Sequence, residues 1–473
     1  MSRIVTEIAV VGAGPAGCVF ATRMAQLGFD VCLIERARFP RQHLGESLTP
    51  GVLPMLATVG AAAAVEAAGF TRVAAVSTNW DGTEAVREDP RAQGMLVDRG
   101  VFDALLLERA AATGVRVMQP AQVRTHLRTA DGWTLQAEGA DGPFEVEARF
   151  LADATGRSAR FGGRRRATGP RTIALHGYWT GTHLPDRPRI EAGAREWYWG
   201  VPIPDGSYNT LVFVDGARFR AEPGGSLDDR LRALLDRSAL MHEVRGARLL
   251  RPARAADATP YVDDECVSAQ WIRLGDAALA IDPLSSSGVQ KAIQSALAGA
   301  ITVNTLLRRP DDHDAATRFF RDSLHGASAR HARWAAGHYA TAAARMHDRF
   351  WSDRVRAAVE PDPSRAPTLA DDVPLQLSAD ARWETVPTLG DRFVELRPAL
   401  QHPGLEETVA FLGGHELGPL IRALRPGMTR RQLVRSWAPS VPPGTGDSIA
   451  RWLVGHGILE RTSPAASGTP STG

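Results

Sequence analysis

The sequence predicts an α/β fold: a parallel sheet interrupted by a mostly antiparallel insert and followed by a small helical unit. Three observations predict it. Near the start, a β-branched apolar run, IVTEIAVV (4–11), passes through a glycine turn into the helical stretch CVFATRMAQLG (18–28) and a second strand, FDVCLIER (29–36). This is a βαβ unit with a buried parallel strand pair. From 167 to 266, short alternating runs such as TIALHGYWTG, WYWGVPIP and YNTLVFVD read as antiparallel strands. From 267 to 310 the pattern returns to strand then helix, VSAQWIRLGDAALAIDP and GVQKAIQSALAGAITVNTLL.

At 473 residues the chain exceeds one simple core, so two or three packed units are expected. A formal net charge of +2 argues against a nucleic-acid binder. Of the 55 basic residues a single one, Lys291, is lysine. Cys18, Cys32 and Cys266 form no CxxC pair and no metal-ligand spacing, which fits a reducing compartment and implies no metal. No apolar run approaches membrane-spanning length and no cleavable leader is evident, so a cytoplasmic protein without a membrane partner is expected.

The remaining elements follow in order. VFDALLLERAAAT (101–113) reads as an amphipathic helix, and VRVMQP, WTLQAEG and FEVEARFLADATG as strands, the last two joined through a DG turn. Residues 1–166 and 267–310 thus form two parts of one domain around the insert at 167–266. Residues 312–358 read as helical, PDPSRAP (361–367) as a linker within 311–375, and 461–473 as a disordered tail. In the unit at 376–460, helical spacing recurs at Leu417, Leu420, Ile421 and Leu424, at Leu433 and Val434, and at Ile449, Leu453 and Ile458. Thr429 is placed to cap the second of these helices. Three short helices ending in GHGIL resemble a winged-helix unit, which in other enzymes serves as a leader-peptide recognition module. A helical lid or dimer contact is the plainer reading.

Gly12, Gly14 and Gly17 form GxGxxG after a strand and at the start of a helix. Small residues there let the backbone approach a pyrophosphate, and the helix N-terminus favours its charge. Glu35, with Arg36 beside it, closes the second strand, where a carboxylate accepts from a ribose hydroxyl. This is a Rossmann-type dinucleotide site, common to NAD and FAD. DATGR (153–157) and RLGDAALAIDP (273–283) resemble the FAD-dependent monooxygenase superfamily. The resemblance implies a glutathione-reductase-like/PHBH-like domain in which Asp276 binds the ribityl chain of FAD. It also implies that Arg99 lies along the cofactor, a surface ion pair being the alternative. Pro283, Ser287 and Gly288 open a helix whose amides would face the pyrimidine edge of the flavin. Lys291, one turn further on, reads as a solvated side chain, a flavin neighbour being the alternative.

RFPRQHLGESLTPG (38–51) narrows the resemblance. It is similar to the FPRxHxGESLxP segment of flavin-dependent halogenases, which implies that Gly45 and Glu46 line the flavin. WYWGVPIP approaches their WxWxIP pattern, with Trp197, Trp199 and Pro202 on the substrate side and Val201 in place of isoleucine. The chain departs from that family where the halogenases carry a lysine shortly after a GF dipeptide. In GFTRVAAVSTNWDG (69–82) the equivalent is Val73, or Arg72 with a one-residue shift. Arginine stays protonated and offers no free amine. Halogenation is therefore disfavoured, and hydroxylation through a flavin C4a-hydroperoxide remains. That chemistry needs a dry pocket and a proton acceptor. His43, Glu46 and His176 are the candidate catalytic residues, either histidine reading equally as structural.

FPRQHLGES, TIALHGYW, GVQKAIQSAL, HYATAAARMHDRFWSDR and HPGLEETVAFLGG together also resemble the halogenase-like flavin monooxygenases that mature quinohemoprotein amine dehydrogenase. That resemblance implies hydroxylation of a tryptophan side chain in a peptide or small-subunit protein. It further implies FAD and O2 as cofactors. The absence of a second GxGxxG favours reduction of FAD by a separate flavin reductase, direct NAD(P)H use being the alternative. A small-molecule hydroxylase or atypical halogenase is the alternative, and a non-enzymatic flavoprotein the third reading.

Overall fold

The structure is a computed structural model that describes residues 2–88, 94–158, 160–222, 224–356 and 372–462. It divides into two compact units, Met1–Val359 and Glu360–Gly473. The expected linker at 361–367 and residues 463–473 of the expected tail lie outside the described residues, whereas Arg461, expected in that tail, ends a strand paired with Leu375–Leu377.

In the first unit, strands Val31–Ile34, Ser2–Val11 and Gly142–Asp153 run parallel at the centre of a seven-stranded sheet. Val31–Ile34 is buried throughout, as a β-branched strand covered on both faces must be. Gly142–Asp153 is long enough to carry two partners: Trp133–Gly139 pairs antiparallel with its first part, and Trp271–Arg273 parallel with Leu151–Asp153. The chain thus leaves this sheet after Asp153 and returns to it at Trp271. Helices Pro15–Gln26, Arg99–Ala112 and Gly288–Arg308 pack against the sheet through Pro15–Gln26, which touches both others. Pro15 suits the first turn, where its missing N–H has no partner to lose. Asp98 caps Arg99–Ala112 by accepting from Gly100 N and Val101 N.

The insert is an eight-stranded sheet built on Thr172–Thr180, Tyr208–Asp215, Glu196–Pro202 and Arg189–Ala192, all paired antiparallel. Alternation divides its side chains between two faces. Leu175, Trp179, Tyr198 and Val212 pack under helix Leu227–Leu235. Ala174, Trp197, Leu211 and Phe213 face the other way, toward Leu284 and Tyr339. The insert does not begin where the sequence pattern changes at 167. Ala75–Asn79 joins it in parallel with Arg189–Ala192 and carries Ala85–Glu88 on its edge. No local pattern encodes such a long-range pairing.

The second unit holds the three expected helices, Leu417–Arg422, Arg430–Trp437 and Pro443–Gly455, around a core that includes Leu417, Leu433, Trp437, Ile449 and Leu453. Thr429 does cap the second, in a reciprocal capping box with Gln432. The sequence pattern did not announce the hairpin Arg382–Leu389 with Val394–Gln401. Pro387 and Pro398 sit inside its strands, and proline is tolerated there because both strands are edges. No helix among the described residues is long and apolar enough to cross a membrane.

Candidate active site

One cavity of about 1050 Å3 runs from the glycine turn to the insert sheet. At one end, Gly12 and Gly17 shape the turn itself. A Cβ on Gly12 (φ +102°) would lie 2.4 Å from Ala154 O, and one on Gly17 would lie 1.8 Å from Gly12 O. Gly14 is different. Its backbone is ordinary (φ −69°), and the only heavy atom near its Cβ position is Arg41 Nη2 at 3.7 Å. The space over Gly14 is open cavity, the shape that a pyrophosphate approaching the backbone requires. Glu35 is buried beside it, accepting from Ala13 N and Ala37 N at 2.8 Å each. Those two bonds aim its carboxylate at the cleft and leave lone pairs for a ribose.

The 38–51 segment forms the middle of the wall. Gly45 has φ +102°, and a Cβ there would press on Arg99 Nη1 at 2.9 Å. Arg99 is buried rather than a surface pair: its guanidinium grips Asp103 at 3.0 and 3.1 Å and donates to Leu44 O at 2.5 Å. It therefore fixes the Leu44–Gly45 backbone that lines the cavity. Glu46 is 4% exposed and accepts from Gly45 N and Asn209 Nδ2, each at 3.0 Å, and from the Tyr178 hydroxyl. Burial and the Glu46 charge push the Tyr178 hydroxyl far above its ordinary value, so it remains a donor. His43 lines the cavity with Nδ1 donating to Leu44 O at 2.8 Å, which leaves Nε2 as an acceptor. Although its side chain is exposed to the cavity, desolvation there and the nearby Arg99 and Arg41 charges hold it below the ordinary histidine value.

Asp276 lines the cavity with Lys291 Nζ at 2.6 Å and Arg157 Nε at 3.7 Å. Lys291 corrects the expectation of a solvated side chain. It is 3% exposed, and its ammonium also donates to Leu279 O. The turn between Asp276 and the helix brings that carboxylate back over the first helical turn, so the ammonium points inward. At the helix start, Pro283 and Gly288 line the cavity, whereas Ser286, in a left-handed turn at φ 48°, takes the place expected for Ser287.

At the far end Trp197, Trp199, Leu211 and Phe213 form an aromatic and apolar wall. Trp197 stacks on Phe213 at 3.7 Å between centroids, and its Nε1 has no acceptor among the described residues. Pro202 and His176 lie off the wall. His176 is buried, its Nδ1 has no partner among the described residues, and burial with Arg251 and Arg254 nearby lowers its pKa to about 4. The wall also includes Arg36, as expected, and Asp282, which carries no signal of its own within RLGDAALAIDP. Tyr178 and Asn209 were missed because only the folded sheet brings them to Glu46.

Residues 5–180 match the FAD binding domain family. The chain is 31% identical over 368 residues to the tryptophan 2-halogenase of Chondromyces crocatus, covering 73% of this chain and 70% of that protein. The chain belongs to the flavin-dependent halogenase family. A second relative, the flavin-dependent halogenase armH3 of Armillaria mellea, is 30% identical and covers 69% of this chain and 72% of its own length. Among solved structures, the peptidyl tryptophan dihydroxylase QhpG, essential for tryptophylquinone cofactor biogenesis, is 29% identical with a TM-score of 0.72. That match covers 96% of this chain and 99% of QhpG. The halogenase CmlS, at 21% identity and a TM-score of 0.79, shares the fold. As a member of the family the chain is an FAD-dependent oxidoreductase. The open space over Gly14 and the aimed Glu35 carboxylate fit FAD at this site.

Proposed function

We propose that this flavin-dependent halogenase family member hydroxylates the indole ring of a tryptophan side chain carried on a peptide or protein. The observation that carries this reading is the place of Lys291. It is the single lysine of the chain, and it is tied to Asp276 and Leu279 on the cofactor side. In the halogenases that the sequence resembles, a lysine lies near the substrate. Here Val73 packs against Tyr178, Val201 and Ile203 beside the aromatic wall, while Arg72 is exposed and pairs with Glu66 at 3.7 Å. Neither side chain offers a free amine. The match to QhpG over 96% of the chain, second unit included, supports a peptidyl substrate.

Reduced FAD together with O2 supplies the electrophilic oxygen. The chain's own residues do the rest. Glu35, Asp276 and the backbone at Gly14 would hold the cofactor. Trp197, stacked flat on Phe213, with Trp199 and Leu211, would hold an aromatic ring and exclude water. Glu46, locked by three donors, would fix the flavin-lining loop against the insert sheet. A separate flavin reductase, drawing on NAD(P)H, would supply reduced FAD.

A sequence relative named tryptophan 2-halogenase favours a second reading, chlorination of an aromatic ring. One assay separates the two. FAD-loaded protein is incubated with a flavin reductase, NADH, O2 and chloride, using a tryptophan-containing peptide substrate of tryptophylquinone biogenesis and free tryptophan in parallel. Intact mass should show one or two added oxygens on the peptide alone. A chlorine isotope pattern on either substrate would establish the second reading.

A further inference from the structure

Four carboxylates stand on the cavity wall, and three are committed. Glu35 and Glu46 accept hydrogen bonds on both oxygens. Asp276 has Lys291 on Oδ1 and Arg157 near Oδ2. Asp282 is held differently. Leu284 N at 3.0 Å and the Tyr339 hydroxyl at 2.9 Å both donate to its Oδ1. Among the described residues no donor reaches Oδ2, although the carboxylate is firmly oriented.

Its place in the fold matters equally. Leu284, two residues on, packs in one cluster with Trp197 and Phe213, so Asp282 stands at the ring-holding end of the cavity. Asp282 also lines a second cavity of about 20 Å3, together with Ser328, His331, Tyr339 and Arg354. That volume suits a single water molecule with several polar partners. Thus one side chain borders both the substrate space and a small second cavity that also carries His331.

We propose that Asp282 is the catalytic base, accepting on Oδ2 the proton that the aromatic ring loses and releasing it through the small cavity toward His331. The assignment rests on the proposed aromatic hydroxylation. Oxygen transfer forms a C–O bond and leaves a cationic ring whose attacked carbon still bears its hydrogen. Breaking that C–H bond returns the electron pair to the ring, and the proton passes to Oδ2. O2 is the oxidant and reduced FAD the reductant, the second oxygen leaving as water.

Basicity agrees with this role. Burial pushes the Asp282 carboxyl above the usual carboxylate range, opposed by the Leu284 and Tyr339 hydrogen bonds and the Arg354 charge. Tyr339, pushed far up by burial and the Asp282 charge, stays a donor. The competing acceptor, His43, is held below its ordinary value by desolvation and two nearby guanidiniums, and its Nδ1 is already engaged with Leu44 O.

The test compares wild type and Asp282→Asn on a tryptophan-containing peptide, with and without deuterium on the indole ring. Wild type should show no primary isotope effect, because oxygen transfer precedes C–H cleavage. Asp282→Asn should retain FAD, form product about 10²-fold more slowly and acquire a primary isotope effect. Product formation near the wild-type rate, or a slowing without an isotope effect, overturns the assignment of Asp282 alone. If wild type converts neither the peptide nor free tryptophan, the proposed function fails and the assignment with it. Should Asp282→Asn lose FAD, Tyr339→Phe decides. Removing that donor should move the acid limb of the pH–rate profile to higher pH, and an unmoved limb overturns the proposal.

Discussion

The Tyr178 hydroxyl donates to the Glu46 carboxylate, joining the insert sheet to the loop that lines the cofactor cleft. Asn209, opposite Tyr178 on the neighbouring strand, donates to the same carboxylate oxygen at 3.0 Å. Two strands of the insert thus hold one side chain of the cofactor segment, and the substrate wall cannot shift without pulling on Glu46. Tyr178→Phe leaves the buried carboxylate with fewer donors, a loss of about 1–3 kcal/mol. Thermal unfolding should register that destabilisation. Product yield per NADH should also fall, because a loosened loop admits water to the site. Unchanged stability and coupling would mean that the contact is incidental.

Gly14 and Glu35 should affect the cofactor in separable ways. Gly14→Val places a side chain in open cavity without straining the backbone, so the apoprotein should unfold within about 0.5 kcal/mol of wild type. FAD should nonetheless no longer be retained on desalting, as read by flavin absorbance. Glu35→Ala removes a ribose acceptor and leaves Ala13 N unpaired. Its Kd for FAD should rise at least tenfold, about 1.4 kcal/mol. Normal flavin retention in both variants would remove the basis for placing the cofactor here.

Much of the site was legible because its signals are local. The glycine turn and Glu35 follow from spacing along one βαβ unit, and the two wall tryptophans share a face because they lie two residues apart on a strand. What escaped depends on distance in sequence or on a single residue of turn geometry. Tyr178 meets Glu46 across 132 positions. Ser286, rather than Ser287, lines the cavity because the chain passes through a left-handed turn there. Lys291 looked solvated because its partner, Asp276, lies before the helix and returns to it only through that turn. Asp282 carried no distinguishing mark, since a carboxylate ahead of a proline is also an ordinary turn residue.

His176 should set part of the acid sensitivity. Its folded pKa of about 4 lies below the ordinary value of 6.5. Between those values the unfolded chain binds a proton that the folded chain does not, so stability falls as pH drops through the window. The limiting slope is about 1.4 kcal/mol per pH unit for one proton. His176→Asn should flatten this part of the stability–pH curve. Equal slopes for variant and wild type from pH 6.5 to 4 would show that His176 is protonated when folded.

Val73→Lys tests whether the missing amine alone separates this chain from a chlorinating enzyme. Val73 packs with Leu96, Tyr178, Val201 and Ile203, an apolar cluster beside the Tyr178–Glu46 contact. A lysine there is longer than the space it replaces, an overpacking cost of about 1–3 kcal/mol. Pairing of its ammonium with the Glu46 carboxylate would draw the amine away from the substrate wall. The variant should therefore lose stability and hydroxylating activity together, and still form no chlorinated product in chloride. Mass spectrometry of the peptide substrate reads both outcomes at once. A chlorine isotope pattern would show instead that this one position governs whether the ring receives oxygen or halogen, and that the rest of the cavity already suits either.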